Sequence, residues 1–432
     1  MHTPASTPTA TPAFFGRTVA RAAFVIAVLG WGLGFYSPPI FIYAVVSRTQ
    51  WPLTWVSGAV TLHFLVGALV VANLPGIYRR LGVARATRMG AIMLAAGVVG
   101  WSHAQHLWQL VAAALLTGSG WVFLGAAAIN TIISPWFWKK RPTALAFAYN
   151  GASIGGVIFA PLWAALITAF GFASASLYVA IALLAIVIPI TWRILPHTPA
   201  SKRQGVDGEP FQSPADNAPP TSAQSPGGHH PGTQTAPISL WRNRRFLTLV
   251  AAMALGLFAQ IGLIAQLYSL LAGAWGSTRA GWLMGMMTAC SVGGRTLVSH
   301  LIGPHTRRRH VAAASYAMQA LGTLILLSIG PNDPGMALLG LVLFGLGIGN
   351  ATSLPPLIAQ QEFPASMVAP VVARSVAVSQ ALYAFAPMTF ATLLVPAGDL
   401  APRLGVGTTA YFSVVLAVQW LAIVAMLSTR RR

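Results

Sequence analysis

Apolar residues run along this chain in blocks too long for any element of a soluble domain. Twelve segments, 22–46, 54–74, 88–104, 107–133, 142–170, 172–192, 246–271, 280–302, 310–330, 335–361, 366–396 and 408–427, carry almost no charge. Each is long enough to cross a ~30 Å hydrocarbon core at about 1.5 Å per residue. Segments of this length predict helices rather than barrel strands of ~10 residues, because backbone groups in lipid must bond within their own segment. The pattern stops twice. Residues 1–16 are rich in Pro, Thr and Ala, show no apolar period and read as a disordered tail. Residues 193–244 contain SKRQGVDGEP, SPADNAPP and SPGGHHPG and read as a flexible linker. The linker divides an N-terminal six-helix bundle, 17–192, from a C-terminal one, 245–432. His229 and His230 fall inside it and read as a solvated pair rather than a metal site.

The two halves repeat. Trp55, Gly58 and Gly67 recur as Trp282, Gly285 and Gly294, each 227 residues on, and Phe159-Ala160-Pro161 recurs as Phe385-Ala386-Pro387 at 226. Two parallel six-helix repeats joined by a linker are the sequence form of a secondary transporter whose site lies between them.

Composition sharpens this picture. Of 432 residues, 56% are hydrophobic and 7% charged, against about 25% charged in a soluble domain. Lys and Arg number 26 against 6 Asp and Glu, a formal +20. That charge would point to nucleic acid only if the basic residues clustered on a soluble face, and here they fall between apolar runs. With both termini inside, 21 basic residues lie in cytoplasmic segments, three (Arg48, Arg279, Arg403) in external loops and two (Arg295, Arg374) within predicted helices. This is a strong positive-inside bias, expected of a multi-pass protein of the cell inner membrane. The single Cys290 excludes an internal disulfide and a cysteine metal cluster. No cofactor and no nucleic-acid partner are expected, membrane lipid surrounds the chain, and the expected state is a monomer.

Helix 4 carries Gly118-Ser119-Gly120; it is followed by Trp136-Phe137 and Lys139-Lys140-Arg141, then Gly151, Gly155-Gly156, Pro161 and Gly171-Phe172. Helix 1 carries Gly34-Phe35-Tyr36-Ser37-Pro38, and Gly294-Arg295 stands twelve residues before the Arg307 cluster. On these residues the chain resembles the major facilitator superfamily over essentially its whole length, and within it the monocarboxylate and oxalate/formate-type porters. The resemblance implies an all-α membrane fold of twelve transmembrane helices in two pseudo-symmetric bundles. It also implies a cavity lined by helices 1, 4, 5, 7, 8, 10 and 11, and a substrate-binding role for Arg295. Two positions depart from the family pattern. Ser291 stands where such porters tend to carry an Asp four residues before that Arg, and Arg79 replaces the usual acid of the helix 2–3 loop. Both changes take away an acid that proton coupling would use.

The acids themselves are informative. Asp207, Glu209 and Asp216 lie in the linker, while Asp333, Glu362 and Asp399 fall at helix ends or loops, so none is predicted at the membrane midplane. Arg295 lies about 10 Å inside helix 8, a depth costly for a guanidinium unless it meets water, an anion or a partner. Its planar fork suits a substrate carboxylate, and the competing reading is snorkelling or bonding to backbone carbonyls. Arg374 in helix 11 is a second candidate cation, with a gate or lipid anchor as the competing reading. Tyr36, Asn150, Gln260, Gln266, Asn350 and Gln380 could each fix a substrate oxygen or tie two helices. His63 is a candidate proton carrier or a packed core histidine. Glu362 is a candidate cytoplasmic gate or a solvated acid. The expected function is alternating-access transport of a small organic anion, with a proton or counter-transported anion as a further partner. A multidrug or neutral-metabolite exporter of the same fold is the alternative. An enzyme is not expected, because no nucleophile–base pair, acidic dyad or metal cluster is in view.

Overall fold

The computed structural model describes residues 13–210, 240–303, 306–329, 333–394 and 408–428. Most of the expected tail, linker residues 211–239 with His229 and His230, and the terminal arginines lie outside the described residues. Twelve helical passes follow in order. The first, α1, is broken: Gly16–Trp31, a π-helical turn Gly32–Tyr36, then Pro38–Thr49. Next come α2 (Leu53–Leu81), α3 (Val83–His103) and α4 (Leu107–Val122 with Ala126–Ile133). A single 53-residue run, Arg141–Arg193, supplies both α5 and α6. The second half holds α7 (Arg244–Trp275), α8 (Ser277–Leu301), α9 (Arg308–Ser328), α10 (Pro334–Ile348 with Asn350–Glu362), α11 (Ala365–Tyr383 with Ala386–Thr392) and α12 (Thr409–Leu427).

The 53-residue run makes two passes, and the break is at Gly171, whose φ of 75° is open to a residue without Cβ. Register shows the reversal. Gly151 packs on the Phe24 carbonyl and Gly155 on that of Val28, so 141–170 runs parallel to α1. Ser102 bonds Ser176 at 2.6 Å and Arg88 bonds Thr191 at 3.2 Å, so 172–193 runs antiparallel to α3. Among the described residues, nine helices are long and apolar enough to cross a membrane by length and composition, or ten if the bent pair in α10 is one span. The divided 53-residue run and the more polar α8 bring the passes to twelve.

The sequence repeat becomes matched packing. Gly67 brings α2 against the Gly118 carbonyl of α4, and Gly294 brings α8 against the Leu346 carbonyl of α10. Any side chain at either position would push backbone from backbone. Trp55 and Trp282, the other matched pair, are both exposed on the outside of the bundle.

The halves meet on the side away from the chain ends. There Tyr43 of α1 packs on Tyr268 of α7 at 5.6 Å, and Gly281 and Gly285 of α8 lie on α5 at Ala160, Pro161 and Val157. Gln266 Nε2 of α7 donates to Ser57 Oγ of α2 at 3.0 Å, and the Met388 amide of α11 donates to Thr61 Oγ1 at 3.3 Å. Among the described residues, these are the hydrogen bonds that join the halves, and none does so on the terminus side.

The reading of 193–244 as wholly flexible is corrected at its start. Residues 194–210 fold back onto the loop before α5, with 3₁₀ turns at Ala200–Lys202 and Val206–Gly208. The reason is one carboxylate. Asp207 accepts the backbone N–H groups of Trp138 (3.2 Å), Lys139 (2.7 Å) and Lys140 (3.1 Å), a row of donors that binds an anion. The tail is shorter than expected too. Phe14 and Phe15 pack on Trp136, and Gln204 Oε1 accepts the Phe15 amide at 2.8 Å. Burial raises the Asp207 carboxyl, but the three backbone donors and Lys140 together bring it below its ordinary value. A lowered acid stabilises the fold above its unfolded value and loses that contribution only as pH falls through the lower, folded one. Hydrogen exchange at the Trp138–Lys140 amides should therefore stay slow through mild acid and speed up below the ordinary aspartate range. Asp207→Ala should speed it about 10-fold at neutral pH; an unchanged rate would show that the carboxylate does not hold this loop.

Candidate functional site

The break in α1 follows from GLGFYSPP. Pro38 and Pro39 bring no N–H, so carbonyls one turn earlier lose their helical donors and the chain widens into a π-turn. Side chains replace the missing donors. Ser37 Oγ donates to the Gly32 carbonyl at 2.7 Å and itself accepts Trp163 Nε1 at 2.6 Å. His63 Nε2 meets the Gly34 carbonyl at 2.8 Å; a carbonyl only accepts, so this nitrogen carries hydrogen. The other ring nitrogen, Nδ1, meets Thr117 Oγ1 at 2.9 Å, which also accepts Trp101 Nε1 at 3.2 Å. The ring lies parallel to Trp121, 18° between planes, and is 1% exposed. His63 is thus a packed histidine that holds the turn.

Tyr36 ends that turn. Its ring lies over Gly156 of α5, where an added Cβ would come within 2.7 Å of it and would also meet Thr288 of α8. Tyr36, Gly156 and Thr288 therefore meet from α1, α5 and α8 at the inner limit of the contact between the halves, with Arg295 two turns further along α8.

Arg295 is half-buried. Its Nε donates to the Gly349 carbonyl at 3.1 Å, at the break between the two parts of α10. The two terminal nitrogens of the fork have no hydrogen bond or acidic partner among the described residues. Ser291, at the position where related porters tend to have an acid, turns its hydroxyl to the Thr288 carbonyl at 2.7 Å.

The amides separate into two groups. Gln266 gives its nitrogen to Ser57 and to the Pro387 carbonyl (3.1 Å), so it ties the halves together. Gln260 Oε1 and Asn350 Oδ1 are buried without a hydrogen-bond partner; Asn350 directly follows the carbonyl that Arg295 holds. Asn150 is exposed and Gln380 half-buried, and neither side chain bonds to a described residue. Arg374 is exposed, nine residues into α11 from Ala365, roughly 14 Å by helical rise, and nothing brings it to Arg295.

Glu362 is corrected from gate to fastener. Its two oxygens accept Arg309 Nε at 2.6 Å and Nη2 at 2.8 Å. Arg309 also reaches Thr248 Oγ1 (3.1 Å) and the Arg245 (2.8 Å) and Met426 (3.3 Å) carbonyls, so the pair clamps α7, α9, α10 and α12 within one half. Thr288, Ser57, Thr61, Thr117 and Arg309 are not among the site residues expected from the sequence, whereas Gly156 belongs to the glycine pair of α5 noted there.

The model for the Major Facilitator Superfamily matches residues 105–387. The chain belongs to this superfamily. It is a multi-pass membrane transporter by that membership. Residues of this superfamily member are 29% identical over 168 positions to monocarboxylate transporter 11 of Mus musculus, covering 38% of the chain and 36% of the relative. The Homo sapiens protein of that name is also 29% identical, with 34% of it covered. The alignment thus spans about a third of the length of the curated relatives it matches. Among solved structures, the nucleoside transporter NupG superposes with a TM-score of 0.71 at 14% identity, covering 95% of this chain and all of that one. A bacterial homologue of the human lysosomal transporter Spinster, inward-facing and unoccupied, gives 0.69 at 14%, covering 98% and 100%. At such identities these structures show the shared major facilitator fold. Removing one member of a mostly buried ion pair strands the other, so Glu362→Ala should cost about 3 kcal/mol in thermal unfolding. Arg309→Ala with Glu362→Ala should cost much less than the sum of the two; additive losses would mean the pair acts separately.

Proposed function

We propose that this chain carries a small organic anion, a carboxylate, across the cell inner membrane by alternating access. In this reading both termini are cytoplasmic and the described conformation is closed to the outside. One observation carries the substrate class. Arg295 keeps two unpaired guanidinium nitrogens on α8, two turns from Thr288 at the contact between the halves, and no carboxylate of the described protein bonds to them. A fork so placed binds a planar oxyanion through two charge-assisted hydrogen bonds. The partial likeness to monocarboxylate transporter 11 supports this reading. The 21 basic residues of the terminus-side segments support the orientation. In this reading Tyr36 donates to the same anion, and the buried, unpartnered oxygens of Gln260 and Asn350 accept from a substrate hydroxyl or amide. Arg374, exposed on α11, is given no part in holding the anion in this reading. His63, enclosed and bonded at both ring nitrogens, favours anion exchange or facilitated passage over proton coupling through its ring.

The rival reading is an exporter of drugs or neutral metabolites, in which the Arg295–Gly349 bond is only a helix tie. Uptake of labelled lactate and oxalate into proteoliposomes separates the two. Losing hydrogen bonds to a charged group costs about 1.5–3 kcal/mol, so Arg295→Ala should lower kcat/KM roughly 10- to 100-fold, with Arg295→Lys intermediate. Carboxylate uptake that survives Arg295→Ala overturns the anion site, and export of cationic dyes without carboxylate uptake selects the rival. Flux that ignores an imposed pH gradient is the expected sign of exchange or facilitated passage.

A further inference from the structure

The turn at Gly82 between α2 and α3 brings together Arg79 and Arg80 at the end of α2 and Arg85 and Arg88 at the start of α3, and the described protein gives them no carboxylate. The four acids among the described residues are engaged elsewhere. Asp207 holds the backbone before α5, Glu209 pairs with Lys139, Asp333 caps α10 at Met336, and Glu362 pairs with Arg309. Arg85 has no hydrogen-bond partner among the described residues.

Beside these arginines lies a cavity of about 440 Å³, distant from Tyr36 and Arg295. It falls in the ~300–1,000 Å³ range of sites that enclose small organic ligands. Arg85 and Arg88 line it together with Thr198 and the apolar side chains of Ile132, Ile194 and Leu195. The first turn of α3 borders it as well. Gly82 precedes that turn and brings no side chain to its free N–H groups, so the positive end of a 21-residue helix adds to the two guanidinium groups.

The level of the cavity relative to lipid is set by Trp192. This indole is 62% exposed, and the Arg88 guanidinium lies over it at 5.0 Å, while Arg88 Nε bonds Thr191 at 3.2 Å. Exposed tryptophans of membrane proteins sit at the lipid–water boundary. Arg85, Arg88, Met89 and Ile92 recur at spacings of three and four, so they share one face of α3. Met89 and Ile92 are exposed apolar residues. Cationic positions at the boundary thus pass directly into an apolar, lipid-facing surface.

We propose that this cavity binds the phosphate headgroup of an anionic phospholipid. The phosphate is held by Arg85, Arg88 and the first turn of α3, and the acyl chains run along Met89, Ile92 and Trp192. The apolar surface continuing from the cavity is what selects a lipid over a free phosphate, since a small ion has no use for it. The site is independent of the substrate reading, and its test does not use transport.

The experiment is thermal unfolding of the full chain in a neutral detergent with added phosphatidylglycerol, phosphatidylcholine or inorganic phosphate. Phosphatidylglycerol near saturation should raise the midpoint by about 3–5 °C. Phosphatidylcholine and inorganic phosphate should leave it nearly unchanged. Arg85→Gln should keep the lipid-free midpoint, having no partner to lose, and should reduce the shift. Arg85→Gln with Arg88→Gln should abolish it. No shift with phosphatidylglycerol, an equal shift with phosphatidylcholine or with inorganic phosphate, or a full shift in the double variant overturns the proposal. If the double variant does not fold, native mass spectrometry decides on Arg85→Gln alone. Fewer retained phosphatidylglycerol molecules than in the wild type support the site, and equal retention overturns it.

Discussion

In hydrocarbon a carbonyl released from its helix finds no water, and at two breaks of this bundle side chains meet such carbonyls. Ser37 and His63 mend the break in α1, and Arg295 mends the one in α10. The Tyr411 hydroxyl adds a bond between passes in the unbroken α7, donating to the Gly262 and Leu263 carbonyls at 3.1 Å each. The break in α1 lies where α1 meets α5 and α8, and the break in α10 lies against α8. Arg295 is distinctive because mending takes one nitrogen of its fork and leaves two.

Much of this was legible from local pattern, because hydrocarbon thickness imposes a length that any stretch of sequence reveals. The boundary between α5 and α6 was placed at residue 171, where the chain turns on a positive φ. The 227-residue repeat named Gly67 and Gly294, which make matched close approaches in the two halves. The depth of Arg295 within its helix is likewise read directly from the sequence. Pairings across long sequence separations left no such trace. Glu362 meets Arg309 from 53 residues away, Gln266 meets Ser57 from 209, and Asp207 meets the 138–140 backbone from nearly 70. Composition hid the last of these: a run rich in Gly, Pro and polar residues holds little apolar surface, yet one carboxylate on a row of N–H groups, with Ile194, Leu195 and His197 packed alongside, orders 194–210.

The two halves use their scarce acids alike. In the C-terminal half Glu362, through Arg309, gathers four helices at the terminus-side rim. In the N-terminal half Asp207 joins the end of α6 to the start of α5, and Phe14 and Phe15 of the N-terminal segment pack beside it. Each half is braced at that rim within itself rather than to its partner. A bundle so braced moves as a unit, which suits a fold whose halves rock about a site between them.

The far side of the molecule carries a thermodynamic consequence. Two hydrogen bonds, Gln266 to Ser57 and Met388 to Thr61, and no ion pair join the halves there among the described residues. At about 0.5–1.5 kcal/mol each, they add no more than about 3 kcal/mol to the closed form. That is within the few kcal/mol by which a ligand's unequal affinity for two conformations can redistribute their populations. Polar contacts across this seam are therefore weak enough for the cargo itself to choose which face of the protein is open.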